Sequence, residues 1–322
     1  VGAFVRRRDD ASAALPEPGG PLPGSNPAHV RLHDASAMLT GGAVSWRESE
    51  ARIEAARAAA PDNPQFKVML ALNRYARLVQ NIAEIATAPL GLAEWNTLED
   101  EMETLALSAL PDSGEDPILL LGIAKALFFI NRGHDAVAAE LTERAFHAGT
   151  AFSAVFAMQG QLAAARGQVD RALDYYEKAI ELGERNSQFH IYLLTLRAIA
   201  LLAAERRRAL DQALSELMLI SPASAAALAP FFVSRRARSL PEHLDHFFAR
   251  VGPQTGGHML FHLDRTAARH FESATHRRNV LSGFAHHLVR HHGPGALPAA
   301  LSTPLRPASS PEAEKAQPLP AG

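Results

Sequence analysis

Apolar residues recur with a helical period along most of the chain, and no convincing stretch alternates apolar and polar residues as a half-buried strand does. Short breakers separate the periodic segments, among them "PDNP" at 61–64 and "PDSGEDP" at 111–117. Periodic segments joined by short breakers are typical of antiparallel helix pairs. The pattern therefore predicts an all-α fold.

Several helix boundaries can be assigned from residue type. Ser45 and Glu48 form a capping box before "WRESEARIEAARAAA", and Asn63 is placed to cap a helix that has Pro64 at its first position. We expect that helix to continue through "QFKVMLALNRYARLVQNIAEIA". A break at "PLGLAEW" (89–95) and a helix over "LEDEMETLALSAL" follow, and after the second breaker comes "ILLLGIAKALFFINR".

The stretch "RGQVDRALDYYEKAIELG" (166–183) repeats an earlier part of the chain. A shift of 34 positions superimposes six identical residues, which are Arg166 on Arg132, Gly167 on Gly133, Ala172 on Ala138, Glu177 on Glu143, Ala179 on Ala145 and Gly183 on Gly149. Four of the six pairs are small residues at turns or close-packing positions. The period of 34 residues is the tetratricopeptide spacing.

Gly160, Gly167, Ala172, Tyr176 and Ala179 also match the small and aromatic positions inside that repeat, so the segment resembles a tetratricopeptide repeat. The copy at 117–149 matches less well, because Ala126 and Thr142 replace the first glycine and the aromatic residue. A unit near 186–222 is degenerate, with a shifted register. The resemblance implies that small residues let helices approach closely and that Tyr176 fills the space between repeats.

The resemblance implies a TPR-like right-handed superhelix of stacked antiparallel helix pairs, closed by a C-terminal helical cap. An all-helical bundle with two similar hairpins is the alternative. We divide the chain into a disordered Pro/Gly-rich linker (1–28), a TPR-like repeat domain (29–235), a His/Arg-rich C-terminal helical subdomain or cap (236–302) and a disordered tail (303–322). Stacked repeats present a concave surface, which implies a protein or peptide as partner.

Composition narrows the classes of function. The chain has 322 residues and no cysteine, which removes disulfides, thiolate metal ligands and cysteine nucleophiles. A net charge of −2 and a pI of 6.8 give no general attraction to nucleic acid or acidic membranes. Because we find neither a membrane-spanning run nor a signal peptide, we expect a cytoplasmic protein that binds no membrane.

Histidine and arginine are the most conspicuous candidates for chemistry. Ten of the fifteen histidines follow residue 242, and the pairs His258/His262 and His287/His291 have i, i+4 spacing that suits a metal. Neither pair belongs to an HExxH motif, so we predict a His-rich solvated surface and no metal ligands. The arginine runs at 206–208 and 235–238 are scattered without interleaved aromatic residues, so we predict no direct nucleic-acid binding by this chain.

Catalytic motifs are missing from the sequence. We find no GxSxG, no P-loop and no GxGxxG after a strand. The stretch "GPQTGGHM" (252–259) is interpreted as a hinge between helices, with an anion site as the alternative. We predict no catalytic residues, no cofactor and no enzymatic activity.

The leading hypothesis is thus a non-enzymatic helical repeat module for protein–protein interaction. Since the chain begins with Val1, either a GTG start codon or a longer protein is implied. In the second case the chain looks like the sensor half of a bacterial transcriptional regulator. A helical-scaffold enzyme or metal-binding protein using the histidine-rich region, and an assembly scaffold of an envelope or secretion complex, are the alternatives.

Overall fold

The protein is described by a computed structural model over residues 46–79, 82–148, 153–302 and 305. Residues 1–45 and nearly all of 303–322 lie outside the described residues, and with them the predicted linker, tail and Ser45 cap. The described ranges contain no strand, which confirms the all-α class. The α-helices, in chain order, are α1 (Trp46–Ala59), α2 (Pro64–Leu78), α3 (Ile82–Thr87), α4 (Leu92–Ala109), α5 (Pro117–Ile130), α6 (Asp135–His147), α7 (Ser153–Ala165), α8 (Val169–Leu182), α9 (Gln188–Ala203), α10 (Arg207–Ile220), α11 (Pro222–Leu228), α12 (Glu242–Val251), α13 (Pro253–His270), α14 (Ala274–His292) and α15 (Ala299–Ser302).

The predicted start of α2 is confirmed, because the Asn63 side chain accepts a hydrogen bond from the Gln65 amide at 2.9 Å. The prediction of one helix through residue 86 is wrong, since Val79 leaves the helical region at φ −85° and ψ 69°. The two ends of the predicted helix belong to different cores. Leu78 packs into the N-terminal core, whereas Ile85 of α3 packs with the C-terminal helices.

The predicted break over 89–95 is too long, because α4 begins at Leu92. Trp95, Leu98 and Met102 are all buried and follow one another at i, i+3 and i+7, which puts them on one helix face. Trp95 therefore belongs to the packing face of α4 and not to the loop. The next segment was predicted closely, since α5 starts at Pro117 behind an Asp116 side-chain cap.

Three consecutive helical hairpins form the middle of the chain: α5/α6, α7/α8 and α9/α10. In each, the two helices pack against one another. The second helix of one hairpin also packs against the first helix of the next, α6 on α7 and α8 on α9, and the first helices α5, α7 and α9 contact each other in sequence. We call α5, α7 and α9 the first helices.

The turns inside the last two hairpins have the same backbone geometry. At the α7/α8 turn Gly167 has φ 76°, and its amide and that of Gln168 donate to the last turn of α7. At the α9/α10 turn Glu205 has φ 54°, and its amide and that of Arg206 donate in the same pattern to α9. The degenerate unit thus keeps the turn without keeping the glycine. Glu205 follows Gly167 by 38 positions, whereas Gly167 follows Gly133 by 34, which explains why sequence matching loses its register there.

Helices α13 and α14, with the short connection between them, form what we call the C-terminal arm (residues 253–292). Gly252, at φ 71°, precedes α13, and the predicted hinge over 252–259 is wrong because α13 runs through it. Gly256 is needed for close packing. A Cβ on it would lie 2.3 Å from a methyl carbon of Leu288 in α14, so the glycine lets the two arm helices approach.

The arm contacts all three hairpins, whereas we expected a cap on the exposed face of the last one. It donates one hydrogen bond to the C-terminal end of each first helix. The Arg269 side chain donates to the Phe129 carbonyl of α5, the Glu272 amide to the Ala165 carbonyl of α7 at 2.9 Å, and the Asn279 side chain to the Ala203 carbonyl of α9 at 2.7 Å. Carbonyls at helix ends lack intrahelical partners. The arm supplies a partner at each of the three ends.

Backbone strain at the turn glycines tests whether the hairpin turns are equivalent. Replacing Gly167 by Val forces a β-branched residue to φ 76° and should lower the free energy of unfolding by about 1 kcal/mol or more, as should the same change at Gly133, with φ 82°. Chemical denaturation of the purified variants measures this.

The third turn offers the inverse experiment. Glu205→Gly removes a side chain from a left-handed conformation and should raise the free energy of unfolding by about 0.5 to 1 kcal/mol. If Gly167→Val cost nothing, or Glu205→Gly were destabilising, the equivalence of these turns would be wrong.

Candidate functional site

A small cavity lies where the three first helices converge, and Lys125 is among the residues that line it. Its volume is about 20 Å³. We call it the Lys125 cavity. Its lining comes from α5, α7 and α9 and consists of Leu121, Lys125, Ala154, Ala157, Met158, Gln161, Phe189 and Tyr192. The site is therefore built only when consecutive hairpins pack together.

Lys125 is buried because of the helix that carries it. The stretch from Leu120 to Ile130 is buried at every position, so α5 is enclosed on all sides and has no solvent-facing stripe. Lys125 is 4% exposed. Its Nζ lies 4.6 Å from the ring centre of Tyr75 in α2 and 4.7 Å from that of Tyr192 in α9. Two aromatic faces thus enclose the amine.

Hydrogen bonds connect the polar groups at this site. Lys125 Nζ is 3.4 Å from the Tyr192 hydroxyl, which is also hydrogen-bonded to the Tyr75 hydroxyl and to the Gln161 side chain. Phe129 then packs edge-on against the Tyr75 ring, with centres 4.5 Å apart. A connected polar network inside an apolar interior holds its members in one arrangement.

Burial changes the acid–base behaviour of the network. Removal from water lowers the pKa of Lys125 to about 7, and it raises the pKa of Tyr75 to about 12 and that of Tyr192 well above its ordinary value. The two phenols therefore keep their protons at neutral pH. The lysine, in contrast, has a large neutral fraction, and a neutral amine is a nucleophile and a base.

A buried ion pair lies on the far side of Phe129. Glu99 of α4 and Arg269 of the arm are paired, and their side chains are 5% and 3% exposed. Arg269 also donates to the Phe129 carbonyl and stacks on the Phe129 ring at 4.2 Å. The Trp95 indole donates to Glu99 at 2.7 Å. We call this group the Glu99 clamp; it ties the arm to the N-terminal helices.

More cations surround the clamp. Arg265 donates to Glu99 at 3.1 Å, and Arg132 lies 3.8 Å from the same carboxylate. Arg132 also pairs with Asp100 and Glu103, each at 2.6 Å. Hydrogen bonds from His134 and then Arg132 lower the pKa of Glu103. Within the described interior, Glu99 is therefore one buried carboxylate shared by several cations.

The histidines predicted as a solvated surface are partly structural. His262 packs against the Trp95 ring at 5.0 Å, and burial lowers its pKa to about 4. His287 is fully buried with Nε2 3.0 Å from the Ser234 carbonyl, and His291 Nε2 is 3.2 Å from Asp245. His258 stays half-exposed. In the described residues, no group of three or more His, Asp or Glu side chains is arranged to hold a metal ion.

The predicted repeat positions fall at equivalent places in the first two hairpins. Gly133 and Gly167 both lie in inter-helix turns with positive φ, and Gly183 ends α8. Gly149 lies outside the described residues. The remaining positions are all buried, namely Ala138, Ala145, Gly160, Ala172, Tyr176 and Ala179.

The Tyr176 ring of α8 packs against Gly160 of α7, the other helix of the same hairpin. A Cβ on Gly160 would lie 2.4 Å from the Tyr176 ring, so the glycine makes room for the ring. The same ring also belongs to a cluster that contains Leu196 and Ala200 of α9 in the next hairpin. Gly160 thus lets the Tyr176 ring lie between two hairpins.

Sequence reasoning missed the Lys125 cavity and the Glu99 clamp. One signal was present, because Lys125 is the only charged residue in "ILLLGIAKALFFI" and an isolated charge in an apolar helix indicates a buried role. Glu99 gave no such signal. It lies in the acidic run "LEDEMET", where nothing distinguishes it from its exposed neighbours.

Comparisons with family models, curated proteins and solved structures found no match for this chain. Separately, none of the helices in the described residues combines the length and apolar character needed to cross a membrane.

Removing the clamp carboxylate tests its structural role. Glu99→Gln leaves Arg269 buried without a counter-charge and should lower the free energy of unfolding by about 3 to 5 kcal/mol. Asp100→Asn is the matched control, because Asp100 is 67% exposed and pairs with the same Arg132; it should cost under about 1 kcal/mol. If the two variants lost equal unfolding free energy in denaturant titrations, burial of Glu99 in the clamp would contribute nothing beyond an exposed ion pair.

Acid should destabilise the fold through buried histidine. Burial and then Arg269 lower the pKa of His270 to about 4, against 6.5 for an unperturbed histidine. Between these values the unfolded chain binds a proton that the folded chain excludes. Stability from this group is therefore complete above pH 6.5 and falls by about 3 kcal/mol as the pH drops to 4.

Replacing the ring isolates that contribution. His270→Phe keeps an aromatic group beside Phe128 and should reduce the loss of unfolding free energy between pH 7.5 and 4.5 by about 2 to 3 kcal/mol. His243→Asn changes an exposed histidine and should leave the loss as in the wild type. An unchanged pH dependence in His270→Phe would show that His270 is not neutral in the folded state.

Proposed function

We propose that this chain is a non-enzymatic helical repeat module that binds a protein or peptide across the first helices α5, α7 and α9. The observation that carries this proposal is the convergence of the three helices at the Lys125 cavity. Ala154, Phe189 and Tyr192, each largely buried but still partly accessible to solvent, line it. Aromatic and small apolar side chains beside a pocket are the features that anchor a partner's side chains.

The order of packing supports a TPR-like superhelix. Second helices pack on the next first helix, and first helices contact one another in sequence, as stacked repeats require. The cavity volume of about 20 Å³ is too small for a metabolite of ordinary size. The dimensions of the Lys125 cavity are better suited to an extended peptide that lies over the cavity opening and inserts one small side chain.

Charge pairing supports a protein partner over nucleic acid. Members of the exposed arginine runs have carboxylate neighbours, with Arg206 at 2.6 Å from Asp170 and Arg207 at 3.4 Å from Asp211. Phosphate binding would have to compete with these ion pairs. A role as the sensor half of a bacterial transcriptional regulator remains a narrower form of the same proposal, in which DNA contacts belong to a separate domain.

Selection from a phage-displayed library of random peptides on the immobilised protein tests the proposal. Ala154→Arg places a long charged side chain at the cavity mouth and should weaken selected peptides by about tenfold or more. Ala93→Arg adds the same side chain to an exposed position on α4 and should leave binding unchanged. Circular dichroism of both variants checks that each remains helical.

Two results would contradict the proposal. One is that no peptide is enriched on the wild type over Ala154→Arg. The other is that the selected peptides bind the two proteins equally, which would place their site elsewhere on the surface.

A further inference from the structure

We propose that Lys125 is a site of reversible carbamate formation, in which carbon dioxide adds to the side-chain amine inside the Lys125 cavity. The inference does not rest on the proposed peptide binding. It rests on the position of the amine, the dimensions and lining of the cavity beside it, and the buried cation Arg269, which acts on the same His270 as Lys125 does.

The cavity selects for a very small ligand. Its volume of about 20 Å³ exceeds the roughly 10–15 Å³ that a single water molecule needs, and carbon dioxide is a narrow linear molecule of three atoms. Leu121, Ala157 and Met158 give it apolar walls, which suit an uncharged gas. Larger carbonyl compounds, such as sugars or keto acids, do not fit this space.

The polar part of the lining suits the product. The Tyr192 hydroxyl is 3.4 Å from Lys125 Nζ, and Gln161 is hydrogen-bonded to Tyr192. A phenol that keeps its proton and a primary amide are both donors to a carboxylate. A carbamate on Lys125 would therefore form beside the Tyr192 hydroxyl, in a cavity that the Gln161 amide also lines.

The surrounding charge favours an anion at this position. Arg269 is buried with Glu99 as its partner carboxylate, and Arg265 donates to the same carboxylate from a partly exposed position. Arg269 and Lys125 both act electrostatically on the buried His270. A protonated Lys125 adds another positive charge to this group. A carbamate replaces that charge with a negative one, and like charges in a low-dielectric interior are costly.

The reaction balances without a further reactant. The lone pair of the neutral amine attacks the carbon of CO₂, a C–N bond forms, and one C=O electron pair moves onto oxygen. The nitrogen then loses one proton to water at the cavity mouth. The products are R–NH–COO⁻ and one H⁺. Burial lowers the pKa of Lys125 to about 7, so the neutral amine needed for attack is abundant at neutral pH.

The chain is well suited to a site-specific test, because it has only four lysines, Lys67, Lys125, Lys178 and Lys315. The wild-type protein at pH 7.5 with ¹³C-labelled bicarbonate and CO₂ should show one carbamate resonance. Trapping with a trialkyloxonium salt, followed by peptide mapping, should place the esterified carbamate on Lys125. The mapping needs no variant, so it does not depend on how substitutions fold.

Variants then distinguish a carbamate on Lys125 from carbamates on other amines of the protein. Lys125→Met should abolish the resonance, and Lys178→Arg, at an exposed position, should retain it. Tyr192→Phe removes a donor to the carbamate and should lower its occupancy at fixed CO₂ by about tenfold. A carbamate found only on another amine of the protein would overturn the proposal, as would an unmodified Lys125 in the wild type.

Discussion

The structure depends on how one buried carboxylate is satisfied. Glu99 and Arg269 are nearly 170 residues apart in sequence, and each is buried where an unpaired charge costs several kcal/mol. Each supplies a buried counter-charge to the other, and Arg265 of the same arm adds a second hydrogen bond to Glu99. The arm must therefore dock if α4 is to pack with Glu99 inside, so the N-terminal helices and the arm cannot reach their final packing independently.

From the clamp, contacts lead directly to the cavity. Arg269 stacks on Phe129, Phe129 meets the Tyr75 ring edge-on, and Tyr75 is hydrogen-bonded to Tyr192, between whose rings Lys125 lies. The ion pair that fixes the arm thus also fixes one wall of the Lys125 site. A change in how the arm docks would alter the surroundings of the Lys125 amine, although no residue of the arm lines the cavity.

Local signals in the sequence predict much of this fold. Asn63 before Pro64, and the breaker ending in Asp116 and Pro117, mark helix starts because their effect needs only neighbouring backbone groups. Positions set by distant packing could not be predicted. The sequence predicts a hinge around Gly256 because the role of a glycine is ambiguous until the side chain it faces, here Leu288, is known. Glu99 could not be singled out, because its partners come from far along the chain.

The hydrogen bonds from the arm to α5, α7 and α9 have a consequence for how this architecture can vary. Arrays of repeats ordinarily lengthen or shorten by whole units, because each unit contacts only its neighbours. Here the donors Arg269, Glu272 and Asn279 match three successive helix ends, one for each hairpin. A hairpin inserted between α8 and α9 would move the Ala203 carbonyl away from its donor. The arm therefore fixes the spacing of these three hairpins relative to one another.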